Sequence, residues 1–265
     1  MTLALFSTAC GSGASVAPPT APLQSASLDQ LVSAFNQRAD AIHTMSLKLT
    51  LTATSGKKKY PGVNSFLLTE SPASIRIWGT FTLVGRLFDM ASDGENFELS
   101  LPTRNQFIVG KNNVIPPDPE HPLNTLRPQV IRNALLINPI SSSLHVAFDP
   151  DEDPDTYDVL VLAPGHNQVD TLLRRITFSR YDLLPSRQVI YDGDGIHATR
   201  ATYGQYLTVA GIAVPLAMTI ERPVEGYTLR LQVNSKGVVL NRPFPDPNTF
   251  TLSQPPGSTL TRLAP

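Results

Sequence analysis

The feature that most constrains the fold of this chain is a two-residue period of apolar side chains, which begins at Leu47 and recurs in short runs towards the C-terminus. Leu47, Leu49 and Leu51 alternate with polar residues, which predicts a half-buried strand because an extended backbone points successive side chains to opposite faces. Turn signals such as Asp93-Gly94 and Glu225-Gly226 separate the runs. Links this short favour antiparallel neighbours, since parallel strands need long crossovers.

Two segments switch to the period of a helix. Apolar residues at helical spacing predict a helix from Leu28 to His43, and Ser27 with Gln30 has the spacing of a capping box at its start. A shorter pattern predicts a second helix over Pro128–Leu136, because proline suits the first helical position. The first helix must bury its apolar side against another element, and the second interrupts the series of strands, so we predict a mainly β (α+β) fold.

Composition sets further limits on function. The 265 residues are 41% hydrophobic and carry a formal net charge of -1. A chain without a basic excess cannot neutralise many phosphates, so nucleic acid is not an expected partner. The single cysteine, Cys10, argues against a disulfide framework.

The N-terminal residues indicate export. An apolar run ends in small residues directly before Cys10; it is too short to span a bilayer but matches the end of a secretory signal. The sequence STA-C-G resembles the lipobox of bacterial lipoproteins, in which the cysteine carries the acyl chains, although Ser7 stands where that motif prefers Leu and a basic n-region is missing. We interpret residues 1–26 as a truncated signal and lipobox with a disordered tether, and residues 27–265 as one domain. The alternative is a chance cysteine in a disordered leader.

A set of soft motifs connects the chain to a known group of proteins. LFDMASDG (Leu87–Gly94) is followed by F-x-L-x-x-P (Phe97–Pro102), and LRPQVI covers Leu126–Ile131. In these segments the chain resembles the LolA/LolB-like lipoprotein-sorting superfamily, and the likeness extends from Ser27 to about Gly257. The resemblance implies a strongly curved antiparallel sheet, an unclosed barrel, whose concave face is covered by the N-terminal and mid-chain helices.

A curved open sheet has a concave face that side chains or a ligand must fill. We predict a hydrophobic cavity there for an acyl chain, because each buried methylene contributes about 0.8 kcal/mol without any polar anchor. The alternative is a core filled by the protein itself. The candidate cavity residues are Leu47, Leu49, Leu51, Phe66, Leu68, Ile75, Ile77, Phe97, Leu99 and Phe107, and the candidate lid residues are Leu31, Phe35 and Ile131.

The segment TFTLVG (Thr80–Gly85) is a candidate membrane-insertion loop. In the receptor branch of the superfamily, a loop with an exposed apolar tip enters the membrane, and the resemblance gives that role here to Phe81, Leu83 and Val84. The alternative is an ordinary strand.

Motifs of catalysis and metal binding do not occur in the sequence. It contains no HExxH, no GxSxG and no P-loop. The acidic run Asp149–Asp158 departs from a calcium loop, since Pro154 occupies the bend and Leu160 the position of the last ligand. Lys57–Lys59 is better interpreted as a solvated hairpin tip than as a lipid-headgroup patch. We therefore expect no catalytic residue, no metal and no cofactor.

Three functions remain for this chain. The first is a lipid-anchored protein of the bacterial envelope, at the outer membrane facing the periplasm, that binds acyl chains of a lipoprotein or lipid during sorting or transport. The second is a structural or assembly lipoprotein with a filled core that docks envelope proteins. The third is a hydrolase with a dispersed site. We favour the first.

Overall fold

The computed structural model describes residues 21–113, 122–149, 153–165, 169–192 and 198–263. These contain two α-helices, two short 3-10 helices (Pro102–Arg104 and Pro122–Thr125) and fifteen strands. The elements are α1 (Leu28–Asp40), β1 (Thr44–Ser55), β2 (Lys58–Lys59), β3 (Val63–Glu70), β4 (Ser74–Phe81), β5 (Gly85–Ser92), β6 (Asn96–Leu101), β7 (Gln106–Lys111), α2 (Pro128–Asn133), β8 (His145–Phe148), β9 (Thr156–Ala163), β10 (Thr171–Ser179), β11 (Pro185–Tyr191), β12 (Ala198–Val209), β13 (Ile212–Arg222), β14 (Tyr227–Leu240) and β15 (Thr259–Arg262).

All the strands belong to one sheet. Its order is β15-β7-β6-β5-β4-β3-β1-β14-β13-β12-β11-β10-β9-β8, and β2 extends the end of β1. Neighbours are antiparallel except β15, which runs parallel to β7, so the sheet is mixed. Because β15 and β8 form its two edges, the strongly curved sheet is not closed into a barrel. This confirms the predicted fold class.

Helix α1 begins where the capping box predicts. The Ser27 hydroxyl accepts a hydrogen bond from the Gln30 amide, and the Gln30 side chain accepts one from the Ser27 amide. The helix ends at Asp40, three residues before the predicted end. The reason lies far along the chain: the Asn241 side chain accepts from the His43 amide at 2.8 Å and donates to the Ala41 carbonyl at 2.7 Å, which turns the backbone into β1.

The core lies on the concave side of the sheet and has two parts. In the first, side chains of β1, β3, β4, β13 and β14 surround α2 and the residues that follow it. In the second, Leu31 and Phe35 of α1 pack against β9 and β10 together with Leu136 and Ile140. Both helices therefore cover the concave face, and the three predicted lid residues are buried there.

The pairing of β3 corrects two predicted cavity residues. Leu67 lies directly opposite Leu47, so Leu67 shares the concave face, whereas Phe66 and Leu68 point to the convex face. Phe66 stacks there on Trp78, with ring centroids 5.1 Å apart. Three consecutive apolar residues in one strand leave two registers open in the sequence, and only the pairing selects between them.

Phe107 is also on the convex face, although it is buried. Its partner Ser100 lies opposite Asp89, which lies opposite Trp78. The C-terminal segment (residues 241–258) crosses this face: the Arg76 guanidinium donates to the Thr249 carbonyl at 2.9 Å. The prediction placed this ring on the apolar face that lines the cavity, whereas the pairing puts it on the face that the C-terminal segment crosses.

The register of β3 gives a direct test of the two faces. Leu67→Ala removes a fully buried side chain beside Leu47 and should lower the free energy of unfolding by about 2–5 kcal/mol. Leu68→Ala, on the adjacent residue, is the matched control and should cost about 1 kcal/mol. Urea titration of both variants measures the difference, and equal losses would contradict the assigned register.

Candidate functional site

The concave face is closed by residues 126–140, which we call the covering segment. It contains α2, and its residues Ile131, Ala134, Leu135 and Leu136 are almost completely buried. Its apolar side chains occupy the space in front of the sheet. The predicted cavity residues that do face this space are packed against it or against each other: Leu47, Leu49, Leu51, Ile75, Ile77, Phe97 and Leu99. The structure thus brings seven of the ten together, in a core that the protein fills itself.

The covering segment is fixed by side chains rather than by strand pairing. None of the described strands pairs with this segment. Instead the Tyr203 hydroxyl donates to the Ala134 carbonyl at 2.7 Å, and the Gln188 amide donates to the Asn133 carbonyl at 3.1 Å. These contacts are not part of the backbone ladders of the sheet.

The end of the covering segment is held by α1. The Asn36 side chain accepts from the Ile140 amide at 2.8 Å and donates to the Ile140 carbonyl at 2.9 Å. The sequence did not reveal Asn36, Gln188 or Tyr203 as important, because isolated polar residues at strand or helix positions carry no motif. Their positions opposite backbone groups emerge only from the fold.

A cavity of about 860 Å³ opens beside α2. Its lining is mixed: the β5–β6 turn at Asp93, Asn112 after β7, Gln129 of α2, and Thr199 and Arg222 from the opposite wall of the sheet. The volume suits a small ligand. Because charged and amide side chains share the walls with apolar ones, this cavity differs from the hydrophobic one that the sequence predicts.

The charge of Arg222 in this cavity is compensated. Its guanidinium is almost fully buried and forms ion pairs with Glu225 and Asp192. Burial alone would lower the pKa of Arg222, but the hydrogen bonds to the two carboxylates outweigh burial and raise that pKa above its usual value. This group closes the β13–β14 hairpin and needs no further anion.

The predicted membrane-insertion residues lie at the tip of the β4–β5 hairpin. Phe81 is 40% exposed, Leu83 92% and Val84 57%. Gly85 has a φ of +80° at the turn, a conformation that favours glycine. Large apolar side chains at a hairpin tip have the exposure that entry into a membrane requires. Lys57–Lys59 is exposed on the neighbouring hairpin.

The remaining candidate residues have ordinary partners. Asp149 and Asp158 of the acidic run form ion pairs with Arg175. His145 and Asp170 form a hydrogen bond of 2.8 Å, but the histidine side chain is 61% exposed, so the pair does not lie in a cleft. Among the residues that the structure describes, no group of three His, Cys, Asp or Glu side chains could hold a metal ion. Cys10 lies outside those residues.

No described helix is both long and apolar enough to cross a membrane. Comparison of the sequence with family models and with curated proteins finds no match to either.

Solved structures, in contrast, share this fold. A LolA superfamily protein from Nitrosomonas europaea superposes with a TM-score of 0.52 at 13% identity, over 83% of this chain and 97% of that one. The chain has the LolA-like fold. A domain from Vibrio parahaemolyticus described as an outer-membrane lipoprotein-sorting protein gives 0.53 at 10% identity, over 83% and 94%. A DUF1329 family protein from Desulfovibrio piger gives 0.52 at 11%, over 82% and 93%. This LolA-like fold agrees with the resemblance seen in the motifs.

Proposed function

We propose that this protein is a lipid-anchored envelope protein that binds an acyl-bearing ligand between the concave sheet face and the covering segment, and that it serves lipoprotein or lipid sorting at the outer membrane without catalysis. The observation that carries the proposal is an apolar sheet face closed by a segment that no described strand pairs with. The Vibrio neighbour, described as a lipoprotein-sorting protein, supports it.

The free energy lost when the covering segment opens is similar to the free energy gained when an acyl chain binds. Opening the covering segment exposes large apolar side chains such as Ile131, Leu135 and Leu136, each of which contributes about 1.5–3 kcal/mol when buried. An acyl chain of about 14–16 carbons contributes on the order of 10 kcal/mol when it takes their place. Near balance suits a protein that must both accept and release its ligand.

The second candidate function is assembly. It is favoured by the same packing, because a concave face filled by the protein's own side chains needs no ligand. In that case the outer surface of the sheet would dock envelope proteins. Binding of an apolar probe separates the two functions.

The hydroxyl of Tyr203 gives the sharpest test of exchange. Burial raises the pKa of Tyr203 well above its usual value, so the hydroxyl stays a donor to the Ala134 carbonyl. Tyr203→Phe removes that bond, worth about 0.5–1.5 kcal/mol, and should tighten binding of the uncharged probe N-phenyl-1-naphthylamine roughly two- to tenfold. Fluorescence titration measures the affinity.

The matched control is Tyr206→Phe. The Tyr206 hydroxyl donates to the Pro185 carbonyl within the sheet, not to the covering segment, so its loss should leave probe affinity near that of the unchanged protein. If the probe binds none of the three proteins, the filled-core function replaces the acyl-binding one.

The β4–β5 hairpin tip should contact membranes directly. In a Cys10→Ser background, which removes the proposed anchor, Leu83→Glu should reduce co-sedimentation with phospholipid vesicles several-fold, because a carboxylate at a 92% exposed tip resists entry into lipid. Val239→Glu places the same charge at a 40% exposed site on the convex face and should change little. Equal loss in both variants would argue against a specific tip.

The anchor itself can be observed chemically. In protein extracted from the membranes of its own cells, mass spectrometry should find Cys10 as the N-terminal residue with acyl chains attached. A Cys10 thiol that still reacts with iodoacetamide in a longer, unprocessed chain would overturn the lipidation proposal.

A further inference from the structure

Three arginines are linked by shared partners in the interior of the protein. Arg38 belongs to α1, Arg132 to α2 and Arg174 to β10. The guanidinium carbons of Arg38 and Arg174 lie 5.2 Å and 4.9 Å from the centre of the Phe35 ring. Asn138 links Arg132 to Arg174. Its side-chain oxygen accepts from Arg132, and its carbonyl accepts from Arg174 at 3.1 Å. We call Arg38, Arg132 and Arg174 the interior arginine cluster.

No carboxylate of the described residues forms an ion pair with any member of this cluster. Two other arginines provide a contrast. Arg175, the next residue after Arg174 but on the opposite face, has Asp149 and Asp158 as partners. Arg222 likewise has two carboxylates. Within the described part of the chain, the interior cluster lacks the carboxylate partners that these two arginines have.

The cluster also has unused hydrogen-bond donors. Both terminal nitrogens of Arg38, Nη2 of Arg174 and Nε of Arg132 are shielded from water and have no hydrogen-bond partner among the described residues. Donors in this state are unfavourable unless an acceptor is supplied. Four such nitrogens on three neighbouring side chains are what a multivalent oxyanion would satisfy.

The cluster remains charged at neutral pH. Burial lowers the pKa of Arg132 to about 10, and burial together with the nearby Arg38 lowers that of Arg174 to about 10. Burial also lowers the pKa of Arg38, partly offset by the neighbouring tyrosines Tyr206 and Tyr203. All three guanidiniums are still protonated at pH 7.

We infer that the interior arginine cluster is a binding site for a phosphate group. Guanidinium groups present planar forks of donors that match phosphate oxygens, and a phosphate monoester carries nearly two negative charges at pH 7, which suits three cations better than a single carboxylate does. Because Arg132 and Asn138 both belong to the covering segment and Arg174 belongs to the sheet, the site spans the contact between the two. That the phosphate belongs to a lipid headgroup rests on the proposed function.

Thermal unfolding with two probes tests the site and its source. Because a ligand that binds only the folded state raises the melting temperature, inorganic phosphate at fixed ionic strength should raise it by about 5 °C at saturation relative to chloride. Decyl phosphate, below its micellar concentration, should do the same, while decanol should not reproduce the effect. If only decyl phosphate stabilises the protein, the natural ligand is a lipid headgroup. If only inorganic phosphate does so, the natural ligand is a free anion. No stabilisation by either overturns the site.

Arg38→Met distinguishes an anion site from a structural arginine. Arg38 interacts with the Tyr206 hydroxyl but has no carboxylate partner among the described residues, so removing its buried charge should change the melting temperature without phosphate little, and should abolish most of the phosphate-dependent increase. Arg132→Met is a second variant that should lose the same increase. A melting temperature that falls equally with and without phosphate would indicate a purely structural role.

Arg175→Met is the matched control. It breaks the ion pairs with Asp149 and Asp158, so it should lower the melting temperature but keep the phosphate-dependent increase. Because N-phenyl-1-naphthylamine is uncharged, its titration measures the apolar site and does not depend on the anion site. Loss of that binding with phosphate stabilisation intact would therefore refute the acyl function and not the anion site, and the reverse result would refute only the anion site.

Discussion

The curvature of the sheet sets the problem that the rest of this molecule solves. A strongly bent sheet that does not close has an apolar hollow on one side, and water in that hollow would cost free energy. The chain fills it with α1 and with the covering segment, which supply Leu31, Phe35, Ile131 and Leu135. The two parts of the core are the places where these two elements pack against the bend.

The way in which the covering segment is attached matters more than its apolar content. Strands are joined by continuous ladders of backbone bonds, which break only when the sheet unfolds. The covering segment depends instead on separate bonds from Asn36, Gln188 and Tyr203, each of modest net strength. The molecule therefore combines a wall of paired strands with a closure that is attached by side-chain hydrogen bonds and apolar packing.

Much of this fold is predictable from the sequence, because its local signals are strong. The capping box at Ser27 fixed the start of α1, and the alternation in β1 identified its buried face. The exposed tip at Leu83 was expected from the family resemblance, because the residues alone left an ordinary strand open. The end of α1 could not be predicted, since it depends on Asn241, about 200 residues away.

The errors have a common physical cause. In β3 and β7, three apolar residues stand in a row, so alternation does not say which face is buried, and Phe66, Leu68 and Phe107 were assigned to the wrong one. The interior arginines were missed for a related reason: an arginine in a strand or helix is ordinarily exposed, and nothing local shows that Arg174 points inward.

The last strand, β15, affects whether neighbouring copies of the protein can associate through the edges of their sheets. An edge strand offers unpaired backbone groups on which another chain can build, and β7 would be such an edge. The tail of the molecule occupies it: β15 aligns along β7, and the Leu263 amide donates to the Val109 carbonyl at 2.9 Å. At the opposite border β8 is only four residues long. β15 thereby becomes the edge in place of β7, but it too is only four residues long, so both edges offer neighbouring molecules little backbone on which to polymerise.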